Sequence, residues 1–342
     1  MANFTPQVKR VSGKSDKEQL KLAFGLAKEQ RFDEALSEFE TILQSNPNAK
    51  LAHLGAGNML FRQERYDEAL RHFQIAARLD ALLPQAQVGA GQVHLKRGDL
   101  EQALDKFQTA INIDPNYTEA YQGLGQVLAR QEKYDEALQQ WRKAQRLNPQ
   151  LISVRLLMAQ AYSKQGKLAE ALSELKSAQN IDPTRWRTYQ GLGRIYMQQK
   201  EYTAAIEAFK TAQKFNPDIP IVAQLALVRA LIEVKQLEEA AAILRQMPRI
   251  QQIEPMKHQL WGDIYQGQGL SKEAAEEYRA AAMLAAQEGD TLDDLANWDA
   301  LLEQDEDKWQ DVVAPYKAAA DKRVAEAQQR QRQNFQERRL ER

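Results

Sequence analysis

The chain of 342 residues is 43% apolar, enough to build a core, and its 46 Lys+Arg against 47 Asp+Glu leave a net charge near zero that demands neither a nucleic acid nor a membrane surface as partner. It has no Cys, which excludes disulfides, thiolate zinc sites and cysteine nucleophiles together. Ala, Gln, Leu, Glu, Lys and Arg dominate and alternating strand formers are scarce, so the chain reads as all-α.

Residues 1–15, MANFTPQVKRVSGKS, contain no apolar stretch of the kind a signal peptide needs and read as a flexible leader. No later window approaches the roughly 18 uninterrupted apolar residues of a membrane span, and the default compartment is the cytoplasm. From residue 16 the chain repeats itself. RFDEAL at 31–36 returns as RYDEAL at 65–70 and KYDEAL at 133–138. Anchoring on the Ala of this motif gives Ala35, Ala69, Ala103, Ala137, Ala171, Ala205, Ala240 and Ala274, spaced by 34 residues at every step but one of 35. Four residues after each stands a large apolar group: Phe39, Phe73, Phe107, Trp141, Leu175, Phe209, Leu244 and Tyr278. Twelve before, the residue is mostly small: Ala23, Gly57, Gly91, Gly125, Ala159, Gly193, Val228 and Gly262. Twelve after, Pro47, Pro115, Pro149, Pro183 and Pro217 recur.

Each mark has a physical reason. Two helices of about four turns each, joined by short turns, use roughly 34 residues. The small residue lets helix backbones approach where they cross, and the large one fills the gap toward the next repeat. Pro cannot donate the next backbone hydrogen bond and is expected to end the second helix. The acids of the DEAL motif fall in the first turn of that helix, where negative charge suits the macrodipole, and are expected to face solvent. One repeat buries too little to fold alone, so the repeats must stack.

On these marks the sequence resembles the tetratricopeptide repeat (TPR) family. The match is closest at 118–151, through Tyr121, Leu124-Gly125, Ala137, Trp141, Ala144 and Pro149, and at 186–219, through Tyr189, Leu192-Gly193, Tyr196, Ala205, Phe209, Ala212 and Pro217. It covers residues 16–288 as eight repeats, at about 16–49, 50–83, 84–117, 118–151, 152–185, 186–219, 221–254 and 255–288. The resemblance implies a right-handed α-solenoid of antiparallel helix pairs, with the first helices lining a concave face. Repeat 7 departs from the pattern through an extra residue, Val228 at the small position and the irregular RQMPRIQQIEP, which predicts a changed stacking angle or a longer loop.

Residues 289–342 break the period. TLDDLANWDALL, 291–302, carries a capping-box arrangement and an apolar stripe of Leu292, Leu295, Trp298 and Leu302, and reads as a capping helix. Beyond it a charged C-terminal helix or tail is expected, whose basic end offers a contact to a partner or a membrane surface.

No chemistry is legible. His53, His72, His94 and His258 are read as lying in different repeats, with no metal-ligand spacing. The G-x-G pairs at 89–91, 123–125 and 191–193 lie within helices and follow no strand, so they fail the dinucleotide fingerprint. No catalytic residue, cofactor or metal is expected. In TPR proteins positions 2, 5, 9, 12 and 13 of each repeat face the concave side. Position 9 supplies Asn58, Gln92, Gln126, Gln160, Arg194 and Arg229, after Phe24 in repeat 1; position 13 supplies Lys28, Arg62, Lys96, Arg130 and Lys164. Amides can bond an extended backbone and cations can hold carboxylates. A cation is also favoured in the last turn of a helix with no ligand at all. The Lys and Asn pattern of TPR clamps for acidic chaperone tails is absent, since only Asn58 fits it. The resemblance and these rows point to a non-catalytic protein-interaction scaffold that holds an extended, acidic segment of a partner. An assembly factor for a multisubunit complex, such as a membrane or photosynthetic complex, is the alternative. An RNA-binding helical-repeat protein is disfavoured by the lack of a strongly basic face.

Overall fold

A computed structural model describes residues 15–288, and the leader and the capping helix and tail expected at 1–14 and 289–342 lie outside the described residues. The described residues form sixteen α-helices and one short 3-10 turn, with no strand among them. They fall into two compact units, divided after Gln165. Odd-numbered helices are the first helices of the eight repeats and even-numbered ones the second.

The first unit contains α1 (Asp16–Lys28), α2 (Phe32–Ser45), α3 (Lys50–Arg62), α4 (Tyr66–Leu79), α5 (Pro84–Arg97), α6 (Leu100–Ile113), α7 (Thr118–Arg130), α8 (Tyr134–Leu147) and α9 (Ile152–Lys164). Helix α1 opens on a complete capping box. The Ser15 hydroxyl accepts from the Glu18 N–H, and the Ser15 N–H donates to the Glu18 carboxylate at 2.9 Å.

Within each repeat the helices are joined by one residue in the left-handed region: Gln30, Glu64, Gly98 and Glu132 here, and Gly166, Lys200, Lys235 and Gly269 in the second unit. The next N–H reaches back five residues to close the first helix, as in Arg31 to Leu26 O, Arg65 to Leu60 O and Lys133 to Leu128 O. This Schellman arrangement normally favours Gly. Five of the eight positions carry an L side chain instead, each at a cost of about 1 kcal/mol.

Between repeats a different device stops the second helix. The side-chain oxygens of Asn46, Asp80, Asp114 and Asn148 accept the N–H two residues on, as do those of Asp182 and Asn216 in the second unit, at 2.9–3.3 Å. Such Asx turns divert the backbone from the helix. Proline is therefore not the stop by itself, because α4 ends at Leu79 although Ala81 stands where Pro is usual. The Lys50 ammonium, then the Leu82 N–H, hold the Asp80 carboxyl below its ordinary pKa. At Asp182 the Thr184 hydroxyl and N–H do the same.

The large residue of each second helix is clasped by two first helices. Phe73 lies against Gly57 of its own repeat and Gly89 of the next, and Phe107 against Gly91 and Gly123 in the same way. A Cβ on Gly89 would stand 2.4 Å from the Phe73 ring, and one on Gly123 2.2 Å from that of Phe107. The first glycine of each G-x-G thus receives the preceding repeat's large side chain, a ring at Gly89 and Gly123 and Leu175 at Gly191, a role the sequence reading missed. Trp141 has Leu157 at the corresponding place in the next repeat; its indole lies against Gly125 and donates to the Gln122 carbonyl at 3.1 Å.

The DEAL acids are exposed, as expected, except for the half-buried Glu68, but they are also ties. Asp33 accepts from Gln63 at 2.8 Å, Asp67 from Arg97 at 2.5 Å and Asp135 from Gln165 at 3.1 Å, each partner being 30 residues on in the next repeat. Glu34 and Glu68 each take a two-pronged grip from the Arg three residues before, at 2.6–2.8 Å. Those guanidinium hydrogen bonds keep both Glu carboxyls below the usual carboxylate range.

The second unit contains α10 (Leu168–Ile181), α11 (Trp186–Gln198), α12 (Tyr202–Phe215), α13 (Ile221–Glu233), α14 (Leu237–Gln246), the 3-10 turn Gln251–Ile253, α15 (Glu254–Gly267) and α16 (Ser271–Glu288). Its core centres on α13, in which Leu225, Leu227, Val228, Ala230 and Leu231 are at most 2% exposed. The irregular segment after α14 is the longer loop the sequence announced. It is held by Lys257, whose buried ammonium reaches Glu254 at 2.8 Å and the Pro248 carbonyl at 3.3 Å. The equivalent position is Glu18 in the first repeat and Ala52, Ala86, Ala120, Val154, Thr188 and Ala223 in the next six.

Candidate functional site on the first helices

Within each unit the first helices of successive repeats touch one another: α1 meets α3, α3 meets α5, α5 meets α7 and α7 meets α9, and in the second unit α11 meets α13 and α13 meets α15. No comparable contact joins successive second helices among the described residues. The first helices therefore line the inner side of each stack, and the rows singled out in the sequence can be placed on it.

In the first unit Lys28, Arg62, Lys96, Arg130 and Lys164 are all exposed and all lie in the last turn of their helices. That is where a cation complements the helix dipole. One turn earlier Asn58 is exposed, and Gln92, Gln126 and Gln160 are half-buried. The Arg62 guanidinium lies over the Phe32 ring, 5.4 Å from its centre. Two neighbouring first helices are also joined through this side, Ser153 donating to the Gln122 side chain at 3.2 Å.

The second unit treats its two arginines differently. Arg194 is half-buried. Arg229 is held by two carboxylates, Asp263 at 2.5 Å and Glu233 at 3.2 Å. The single Tyr278 O–H is shared between the second oxygen of Asp263 and the Gln266 side-chain oxygen, each at 2.8 Å. Burial, then that bond to Asp263, pushes the Tyr278 hydroxyl well above its ordinary pKa. Arg229 belongs to an internal ion network, whereas the cations of the first unit stand at the exposed ends of their helices.

One reading of the histidines needs correction. His53 and His72 lie in the same repeat and face each other, Nδ1 to Nδ1, at 3.0 Å. The Pro47 carbonyl, 3.0 Å from His53 Nε2, can only accept. This assigns the proton to His53 Nε2 and makes His72 Nδ1 the donor of the shared bond. Burial first, and the neighbouring His53 second, push the His72 imidazole below its ordinary pKa; Arg71 acts in the same sense and Glu68 opposes. A depressed histidine pKa means that the unfolded chain takes the proton first, so the contribution to stability is lost as pH falls below about 6.5. Denaturation midpoints should therefore drop between pH 7.5 and 5.5, and His72→Gln should flatten that dependence; an unchanged slope would show that the pair does not titrate with folding. Elsewhere His94 meets Asp99 at 3.2 Å and His258 meets Glu277 at 2.6 Å. No group of three or more metal-ligating side chains occurs among the described residues. No helix among them is long and apolar enough to cross a membrane.

Comparison with family profiles bears on what such a surface is for. Tetratricopeptide repeat profiles match residues 20–86 and, in overlapping spans, 128–193, 162–226 and 196–255, and a TPR repeat profile matches 91–132. The chain belongs to the tetratricopeptide repeat family. Sequence comparison with curated proteins finds no match. Among solved structures, the TPR chain is similar to one in the APC/C hetero-tetramer Cut9-Hcn1, at 16% identity and a TM-score of 0.61, over 82% of this chain and 54% of that one. It thus spans about half the length of that relative. It is also similar to Pseudomonas aeruginosa pilF, at 17% identity and a TM-score of 0.53, over 64% of this chain and 97% of that one. At these identities the likeness shows the fold alone. The TPR fold is that of a protein–protein interaction scaffold, and its members are generally non-catalytic.

Proposed function

We propose that this TPR protein is a non-catalytic scaffold whose first unit holds an extended, acidic segment of a partner protein along its first helices. The observation that carries this reading is the pairing of two rows at one period: an exposed Lys or Arg in the last turn of α3, α5, α7 and α9, and an amide one turn earlier on the same helices. The helix dipole accounts for the cations alone. Nothing in helix propensity asks for Asn58, Gln92, Gln126 and Gln160 at successive repeats. An amide offers both a donor and an acceptor to a strand of backbone, and the neighbouring cation can hold a carboxylate. Arg229 is expected to contribute little, because Asp263 and Glu233 already hold it; Arg194 is half-buried.

The test is affinity capture from the native source with wild-type protein and with Lys96→Glu/Arg130→Glu. Both positions are exposed, so circular dichroism should be unchanged and melting should fall only by the small amount expected for losing two cations at helix C-termini. Partner affinity should fall by at least about tenfold, and wild-type binding should weaken with added salt. A partner retained equally by the double variant would place the binding surface elsewhere.

A further inference from the structure

The row of amides begins with an aromatic. Phe24 occupies in α1 the position that Asn58 and Gln92 occupy in α3 and α5, and it is 44% exposed. It is not loose: its ring meets the fully buried Phe39 edge-on, at 5.1 Å between centres and 71° between planes. On the adjoining helix Leu51, at position 2 of its repeat, is 41% exposed. Helices α1 and α3 touch, and Leu20 and Leu54 lie between these residues in repeat order, partly or wholly buried against the same core. Leu79 and Leu82 are exposed as well, but they lie at the end of the second helix α4 and just beyond it, not on a first helix. Two such side chains therefore stand on neighbouring first helices, Phe24 one turn before Lys28 in α1 and Leu51 in the first turn of α3.

We propose that this surface is an apolar seat, and that the segment bound by the first unit is an acidic, extended peptide carrying one large apolar side chain at the end that lies over repeats 1 and 2. This rests on the groove reading above and adds a polarity to it. Carboxylates face Arg62 and Lys96, backbone amides face Asn58 and Gln92, and the apolar anchor lies on Phe24 and Leu51. The cation row selects an acidic ligand, and the exposed, edge-packed ring at the head of the amide row says where its uncharged part goes. Because Phe39 already fixes the Phe24 ring, the anchor meets a surface that needs no reordering.

The experiment titrates full-length protein into fluorescein-labelled Glu/Ser peptides that carry one terminal Trp, at either end, or Ser in its place. On wild-type protein one Trp peptide should bind about tenfold tighter than the Trp-less peptide, as expected for burying part of one aromatic side chain. Leu51→Ser, and separately Phe24→Ser, should abolish that advantage and leave the Trp-less peptide unaffected; Leu51 is the cleaner site because Phe24 also touches the core. Equal binding with and without Trp would overturn the apolar seat and leave the groove reading standing. Failure of every acidic peptide to bind would remove the groove reading as well. Concentration-dependent self-association lost in Leu51→Ser would show that a second copy covers the seat, and would overturn the proposal.

Discussion

Gly123→Ala should lower stability by about 1–3 kcal/mol, although alanine is the better helix former by about 1 kcal/mol. The added methyl would stand 2.2 Å from Phe107 Cε1 and 2.4 Å from Cζ. Phe107 has no exposed surface and is met from its own repeat by Gly91. The ring cannot swing outward, so α5 and α7 must separate or the ring must leave its rotamer. A double-mutant cycle with Phe107→Leu separates this from a helix effect, because a smaller partner should make the added methyl less harmful. Urea denaturation of the four proteins gives the coupling. Additivity within about 0.3–0.5 kcal/mol would mean that the contact does not limit packing at this joint.

Phe209→Ala in the second unit should cost still more, about 3–5 kcal/mol. Phe209 is fully buried, and its flanking Ala205 and Ala212 carry side chains too short to fill the space it would leave. On the other side Gly193 has no side chain at all, a Cβ there being 2.7 Å from the ring. The cavity would therefore persist, which is the condition under which a large-to-small change reaches its full effect. Phe215→Ala is the control. Its ring is 40% exposed and packs on Tyr189 at 5.6 Å, so its loss should cost less than half as much. Comparable losses for the two would show that burial does not set the energetics of this unit.

Much of the fold was legible because a period multiplies weak signals. One DEAL motif means little, but eight repeats of the same alanine, small and large marks fix helix, turn and core residue at once. The Asx turns were equally legible at Asn46, Asp80, Asp114, Asn148, Asp182 and Asn216, and were overshadowed by the neighbouring prolines. The left-handed turn residues were not legible. Gln30, Glu64, Glu132, Lys200 and Lys235 are ordinary polar residues, and the Schellman bonds around them impose the conformation that their own identities disfavour. The second role of the DEAL aspartates depends on a partner 30 residues away, which no local pattern names. The same holds at the surface. Repeat position showed which residues share a row, but Arg229 looks like any other member of its row until Asp263 and Glu233 are seen around it. Phe24 was visible in its row, whereas its exposure, and that of Leu51, belongs to the packed structure.

The ties that join one repeat to the next, Asp33 to Gln63, Asp67 to Arg97 and Asp135 to Gln165, span 30 residues each, and Phe39, Phe73 and Phe107 each wait only for the glycine 16 residues on. Nothing of this kind in the first unit requires a distant stretch of chain. Contact order is therefore low, and folding should be fast for the chain's length. During synthesis at about 5–20 residues per second, a new period becomes complete every few seconds. Each ring is then exposed only until the next first helix leaves the ribosome, so the stack can grow in step with translation.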